Sequence, residues 1–163
     1  MMKGIVIKEK MRGWLQWDLP QQQNQQDDTE KKYFSFQIKA FTPHRWRFSA
    51  PRPFEGLATI EGIGENIPIS GVLTLFLTGP SYKLNMFLPE IGPVLMVGKK
   101  QYRLRNLLSS LTTCPMVIYR NTSEKVDQLI GEAEVRYTDP IWRFPFDAIS
   151  FINVEQTKSL SCN

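Results

Sequence analysis

The sequence predicts an all-β domain, an antiparallel meander closed into a barrel, with a β-sandwich as the alternative and a short helix near the C-terminus. Three observations carry this. Apolar residues recur at every second position in segment after segment, the pattern of strands with one buried face. Short clusters of Gly, Pro and Asn separate these segments, as the reversals of a meander require. Glycine also recurs within or at the ends of the strands, at Gly13, Gly56, Gly62, Gly71, Gly98 and Gly131, where the curvature of a closed sheet is relieved.

The opening stretch GIVIKEKMRGWLQW places Ile5, Ile7, Met11, Leu15 and Trp17 on one side. Glu9 falls on that same apolar side. A carboxylate facing a core costs several kcal/mol unless it is paired, so Glu9 is salt-bridged inside, exposed at a barrel mouth, or turned outward by a bulge. Residues 21–32, QQQNQQDDTEKK, contain no apolar side chain and read as a mobile loop spanning 19–32. Alternation resumes with Phe34, Phe36, Ile38 and Ala40 against Ser35, Gln37 and Lys39.

Strands then follow closely: EGLATIEGI, IPISGVLTLFLTG, and a hairpin over residues 81–100. In the hairpin Tyr82, Leu84, Met86 and Leu88 share one face, Pro89, Gly92 and Pro93 make the reversal, and Val94 to Val97 run back, with Gly98, Lys99 and Lys100 returning the chain to water. Residues 101–111 carry leucines at helical spacing and suit either a short helix or a strand entering a loop. PMVIYRN and QLIGEAEVRYTD form another strand pair, with Leu129, Gly131, Ala133, Val135 and Tyr137 inward. In the tail, Pro145 favours a helix start near that residue, running to about Ile152, and residues 154–163 read as frayed. The whole is one domain over 1–163, lipocalin-like or calycin-like in plan.

Composition narrows the function classes. Cys114 and Cys162 are far apart in sequence and read as two free thiols of a cytoplasmic, reducing environment. No apolar run reaches the about 20 residues of a membrane span. The net charge is +4 and the pI about 9.1, with Lys and Arg spread singly along strands, so no nucleic-acid partner is expected. The exception is residues 44–52, HRWRFSAPR, which suit either a cation–π patch for an anionic partner or an ordinary solvated strand face. Gly62 and Gly64 in GIGEN make a turn, since no dinucleotide-binding spacing surrounds them. No phosphate-binding loop, metal-ligand spacing or nucleophile elbow occurs, so neither cofactor nor metal is expected.

Several motifs point to a family. Residues 9–13 (EKMRG), FEGLATIEG, ISGVLTLF, Tyr82-x-Leu84-x-Met86 with Gly98-Lys99, Leu111-Thr112-Thr113 and Gly131-x-Ala133-x-Val135 occur in an order that resembles the β domain appended to cholesterol-oxidase-like GMC flavin oxidoreductases. The resemblance spans about residues 5–152. Cys114-Pro115 departs from it, where a further Thr and Leu would follow the paired threonines. It implies a free-standing, non-catalytic accessory domain associated with sterol or lipid metabolism, and an oxidoreductase as a possible partner.

Three functions compete. In the first, the barrel binds an apolar small molecule among Glu9, Met11, Phe34, Phe36, Tyr82, Leu84, Met86 and Met96, an apolar lining with few polar anchors. In the second, those side chains simply fill a core and the domain docks on another protein. In the third, Glu9 is the acid or base of a small isomerase or cyclase, although one carboxylate is not a catalytic constellation.

Overall fold

The computed structural model describes residues 3–18, 30–42, 49–76, 78–100, 112–122, 125–138 and 149–153. They form the strands β1 (Lys3–Trp17), β2 (Lys32–Thr42), β3 (Arg52–Ile60), β4 (Gly64–Phe76), β5 (Gly79–Leu88), β6 (Gly92–Lys99), β7 (Thr113–Thr122), β8 (Lys125–Tyr137) and β9 (Ile149–Asn153). From β2 to β8 each strand pairs antiparallel with the next, and β1 pairs with both β2 and β8. The sheet is therefore a closed barrel of eight strands, not a sandwich. Closure removes the open edges through which a flat sheet would pair with other chains.

The register fixes the barrel's dimensions. From Ile7 the paired positions run through Ala40, Phe54, Gly71, Leu84, Met96, Ile118 and Gly131 to Trp17, ten residues further along β1. A stagger of that size tilts the strands by about 40° and gives a backbone radius of about 8 Å. Such an interior is just wide enough for side chains to fill it or to hold one small ligand.

The strand glycines sit where this coiling brings neighbouring backbones together. A Cβ at Gly13 would overlap the carbonyl oxygen of Glu134; at Gly56, that of Gln37; at Gly71, that of Lys83, with the Phe54 ring close by. Gly62 and Gly92 have a different task, adopting positive φ in the β3–β4 and β5–β6 reversals.

Two sequence expectations are corrected. Ile118 pairs with Gly131 but Tyr119 pairs with Leu129, so Ile130 is an extra, bulged residue in β8. The bulge reverses the alternation: Ile130 enters the core while Leu129 lies outside, 53% exposed. Second, residues 149–153 are the strand β9, so the expected C-terminal helix does not extend through them. The cause is an open stretch of β1: β8 covers it only from Met11 to Trp17, and β9 pairs along Lys3 to Ile7. Ile149, Phe151 and Ile152 have the strand propensity to use that edge. Residues 145–148, the central stretch 101–111, loop residues 19–29 and the tail 154–163 lie outside the described residues.

Candidate functional site: a polar layer at one end of the barrel

Every second residue of each strand points inward, and the tilt determines which of them meet. Because each step around the barrel also advances along its axis, Glu9 of β1, Tyr82 of β5, Cys114 of β7 and Lys100, one residue past β6, fall within about 4 Å of one axial level. Arg52, the first residue of β3, lies slightly nearer the rim. All five are buried, with Glu9 6% exposed, Arg52 3% and Lys100 4%. At the opposite end Leu15, Phe34, Ile60, Leu88, Ile118 and Ile130 make a wholly apolar layer beside the turns at Gly62 and Gly92.

Specific contacts join the polar layer. The Tyr82 hydroxyl donates to Glu9 Oε2 across the barrel at 2.5 Å. Lys100 Nζ stands 5.7 Å from the centre of the Tyr82 ring, a cation–π arrangement. The main chain holds Lys100 in place, its amide donating to the Pro80 carbonyl at 2.9 Å. Arg52 donates from Nη1 to the Ala50 carbonyl at 3.0 Å. Glu9 is therefore neither exposed at a mouth nor turned outward, and the partner found for it among the described residues is a phenol in place of the expected salt bridge.

Cys114 reports the field in this layer. Burial pushes its thiol up to about 12, while the positive charge of Lys100 draws it down and the negative charge of Glu9 raises it further. A raised folded-state value favours the folded protein below the unfolded pKa, near 9, and that contribution disappears as pH rises through the folded value. Stability of the native chain should therefore fall relative to Cys114→Val between about pH 9 and 12. Urea unfolding across that range measures it; parallel pH profiles would contradict the assignment. The native thiol should also resist alkylation at pH 8 until the protein unfolds, because only the thiolate reacts.

The eight residues expected at a ligand site are all inward and buried, but they do not form one site. Glu9 and Tyr82 belong to the polar layer, Met11, Leu84 and Phe36 to the middle, and Phe34, Met86 and Met96 lie toward the apolar end. The interior is filled at all three levels: Tyr82 and Cys114 in the polar layer, Met11 and Leu84 in the middle and Phe34 toward the apolar end leave no exposed surface. Two clefts lined by described residues, of about 600 and 470 Å³, lie on the outer wall beside Lys39, Glu55 and Ser70 and beside Gln16, Val117 and Leu129.

Lys100 and Arg52 escape the sequence reading, and both correct it. Lys100 does not return to water, since it continues the inward row of Val94, Met96 and Gly98. Arg52 is not part of a surface patch, because it continues the inward row of Phe54, Ala58 and Ile60. Extending the period-two pattern one step past each apolar run would have found them. Residues 43–48 and Cys162 lie outside the described residues. Among the described residues, no group of three His, Cys, Asp or Glu side chains is placed to hold a metal.

Comparison with protein-family models, with curated proteins and with solved structures finds no match for this chain.

Proposed function

We propose that the chain is a non-catalytic binding module that takes a small, largely apolar molecule at the polar end of its barrel. The observation that supports this most directly is the buried Glu9–Tyr82 pair beside Lys100, with Arg52 nearer the rim, while the other buried side chains among the described residues are apolar. Replacing buried charges with packed hydrophobic residues commonly leaves stability equal or better. Charges confined to one layer are thus a cost that ligand recognition explains and core packing does not. Few polar anchors over an apolar floor is the usual composition of a small-molecule pocket. Tyr82 and Cys114 leave no exposed surface, so a ligand entering at this end displaces side chains, and Met11, next to the polar layer, is one able to repack around it.

The motif resemblance to GMC-associated β domains adds a sterol or another lipid to the molecules worth testing, and an oxidoreductase to the candidate partners. Native mass spectrometry of the purified protein, with thermal melts against cholesterol and medium-chain lipids, is the test. A bound mass with a raised melting temperature is expected. An apo mass and unchanged melting with the whole panel would contradict the reading. That outcome would favour the docking module with a filled core, for which the packed middle and the exposed Phe87 and Leu129 are the supporting observations.

A further inference from the structure

We propose that the outer face of β1, with its neighbours on β2 and β8, docks on an anionic lipid membrane. Cations that are spread singly along the sequence are gathered there by strand pairing. Lys8, Lys10 and Arg12 alternate along the outward side of β1, about 7 Å apart, and all three are exposed. Lys8 stands directly opposite Lys39 of β2, and Arg12 directly opposite Arg136 of β8. The other direct neighbours of Lys10 and Arg12 are the uncharged Gln37, Ser35 and Thr138. Two carboxylates adjoin the group: Glu134, which pairs with Arg136 at 3.6 Å, and Glu55, opposite Lys39 on its β3 side. Among the described residues, no ion pair engages Lys8, Lys10, Arg12 or Lys39. Like charges set directly across a strand pair destabilise a sheet, and this face carries two such pairs. Folding gains nothing from that arrangement, whereas an anionic surface turns the repulsion into attraction.

The aromatic end of the face selects the occupant. The outward row of β1 continues past Arg12 to Trp14, and Tyr33, 47% exposed, lies directly opposite. Tryptophan and tyrosine beside cations match the membrane–water boundary, where an apolar ring and a polar edge are both satisfied. A single-stranded nucleic acid needs free ring faces on which its bases stack, but Lys31 Nζ covers the Trp14 ring, 3.8 Å from its centre. Lys31 brings the group to six with Lys8, Lys10, Arg12, Lys39 and Arg136, within the range of about four to eight basic residues that recognise anionic head groups. This docking goes beyond the ligand-binding reading and does not depend on it, since the outer wall is the same whether the interior opens or not.

The experiment is co-sedimentation with vesicles of phosphatidylcholine alone and of phosphatidylcholine with about a third phosphatidylserine. It compares the native chain, the double variant Lys8→Gln/Lys10→Gln, and Lys83→Gln/Lys99→Gln, which removes the same charge from exposed positions on β5 and β6. The native chain should bind only the phosphatidylserine vesicles, and high salt should release it. Each cation near the surface contributes about fivefold to partitioning, so Lys8→Gln/Lys10→Gln should weaken binding by about tenfold or more while Lys83→Gln/Lys99→Gln stays close to native. The melting temperature of Lys8→Gln/Lys10→Gln should not fall, because the repulsion between Lys8 and Lys39 is relieved. Equal binding to the two kinds of vesicle, or binding to neither, would overturn the proposal. Equal weakening by the two double variants would show that net charge and not this face binds, and would overturn it too. Binding of a single-stranded oligonucleotide that is lost in Lys8→Gln/Lys10→Gln, with no binding to phosphatidylserine vesicles, would give the face to nucleic acid instead.

Discussion

Gly13→Ala is expected to destabilise the barrel by about 3 kcal/mol or more, at the upper end of what overpacking costs. The added methyl has no direction in which to yield: it would meet the Glu134 carbonyl oxygen and the Val135 Cα, both main-chain atoms held by the β1–β8 pairing. That pairing is the seam that closes the barrel, so relief of the clash must separate strands. Gly71→Ala should behave similarly against Lys83 and the Phe54 ring. Gly62→Ala supplies the contrast, because nothing lies near its added methyl and only the positive φ of a turn is strained. A cost of about 1–2 kcal/mol is expected there. Urea denaturation of the three variants ranks them, and Gly13→Ala with native-like stability would mean that β1 and β8 do not approach as described.

The second large effect is expected at the polar layer. Glu9→Leu removes the acceptor of the Tyr82 hydroxyl and a carboxylate that shares the buried layer with Lys100, a loss of about 3 kcal/mol for one member of a buried polar group. Tyr82→Phe removes only the hydroxyl and leaves the ring under Lys100, so its cost should be smaller, although the Glu9 carboxylate then loses its donor. In the double variant neither orphan remains. The double-mutant cycle should yield a coupling of about 2 kcal/mol, as for hydrogen bonds to charged groups. Additive single effects would show that the Glu9–Tyr82 bond does not form in solution. Glu9→Gln, which keeps an acceptor for Tyr82, should be tolerated better than Glu9→Leu, whereas a hydrophobic replacement would be the milder one if Glu9 were merely a misplaced core residue.

How far these features were legible in the sequence differs from element to element. Strands such as Phe34 to Ala40 and Tyr82 to Leu88 were readable because alternation reports directly which face is buried. Glu9 stood out for the same reason, as a violation of its strand's pattern. What alternation does not contain is the axial level at which inward residues meet. That depends on the ten-residue stagger around the barrel, which arises from all eight pairings together. Grouping Phe34, Met86 and Met96 with Glu9 therefore joined residues that share the interior but not its end. The bulge at Ile130 was hidden because Leu129 and Ile130 are equally apolar, and only the pairing with β7 decides which of them turns inward. In the sequence alone Lys100 and Arg52 look solvated because their charge outweighs their position in the pattern. Position decided instead: each continues an inward row at the end of the barrel where the other buried charges lie.

The central claim is that the barrel binds its ligand inside, at the Glu9–Tyr82–Lys100 end, and methyl NMR tests it most directly. With protein carrying 13C-methyl methionine and decanoate as ligand, intermolecular nuclear Overhauser effects are expected at the Met11 methyl, next below the polar layer. Larger shift changes are expected there than at Met86, which lies toward the apolar end. Ligand contacts confined to outer-wall residues such as Val117 and Leu129, with the Met11 methyl undisturbed at saturation, would contradict the account.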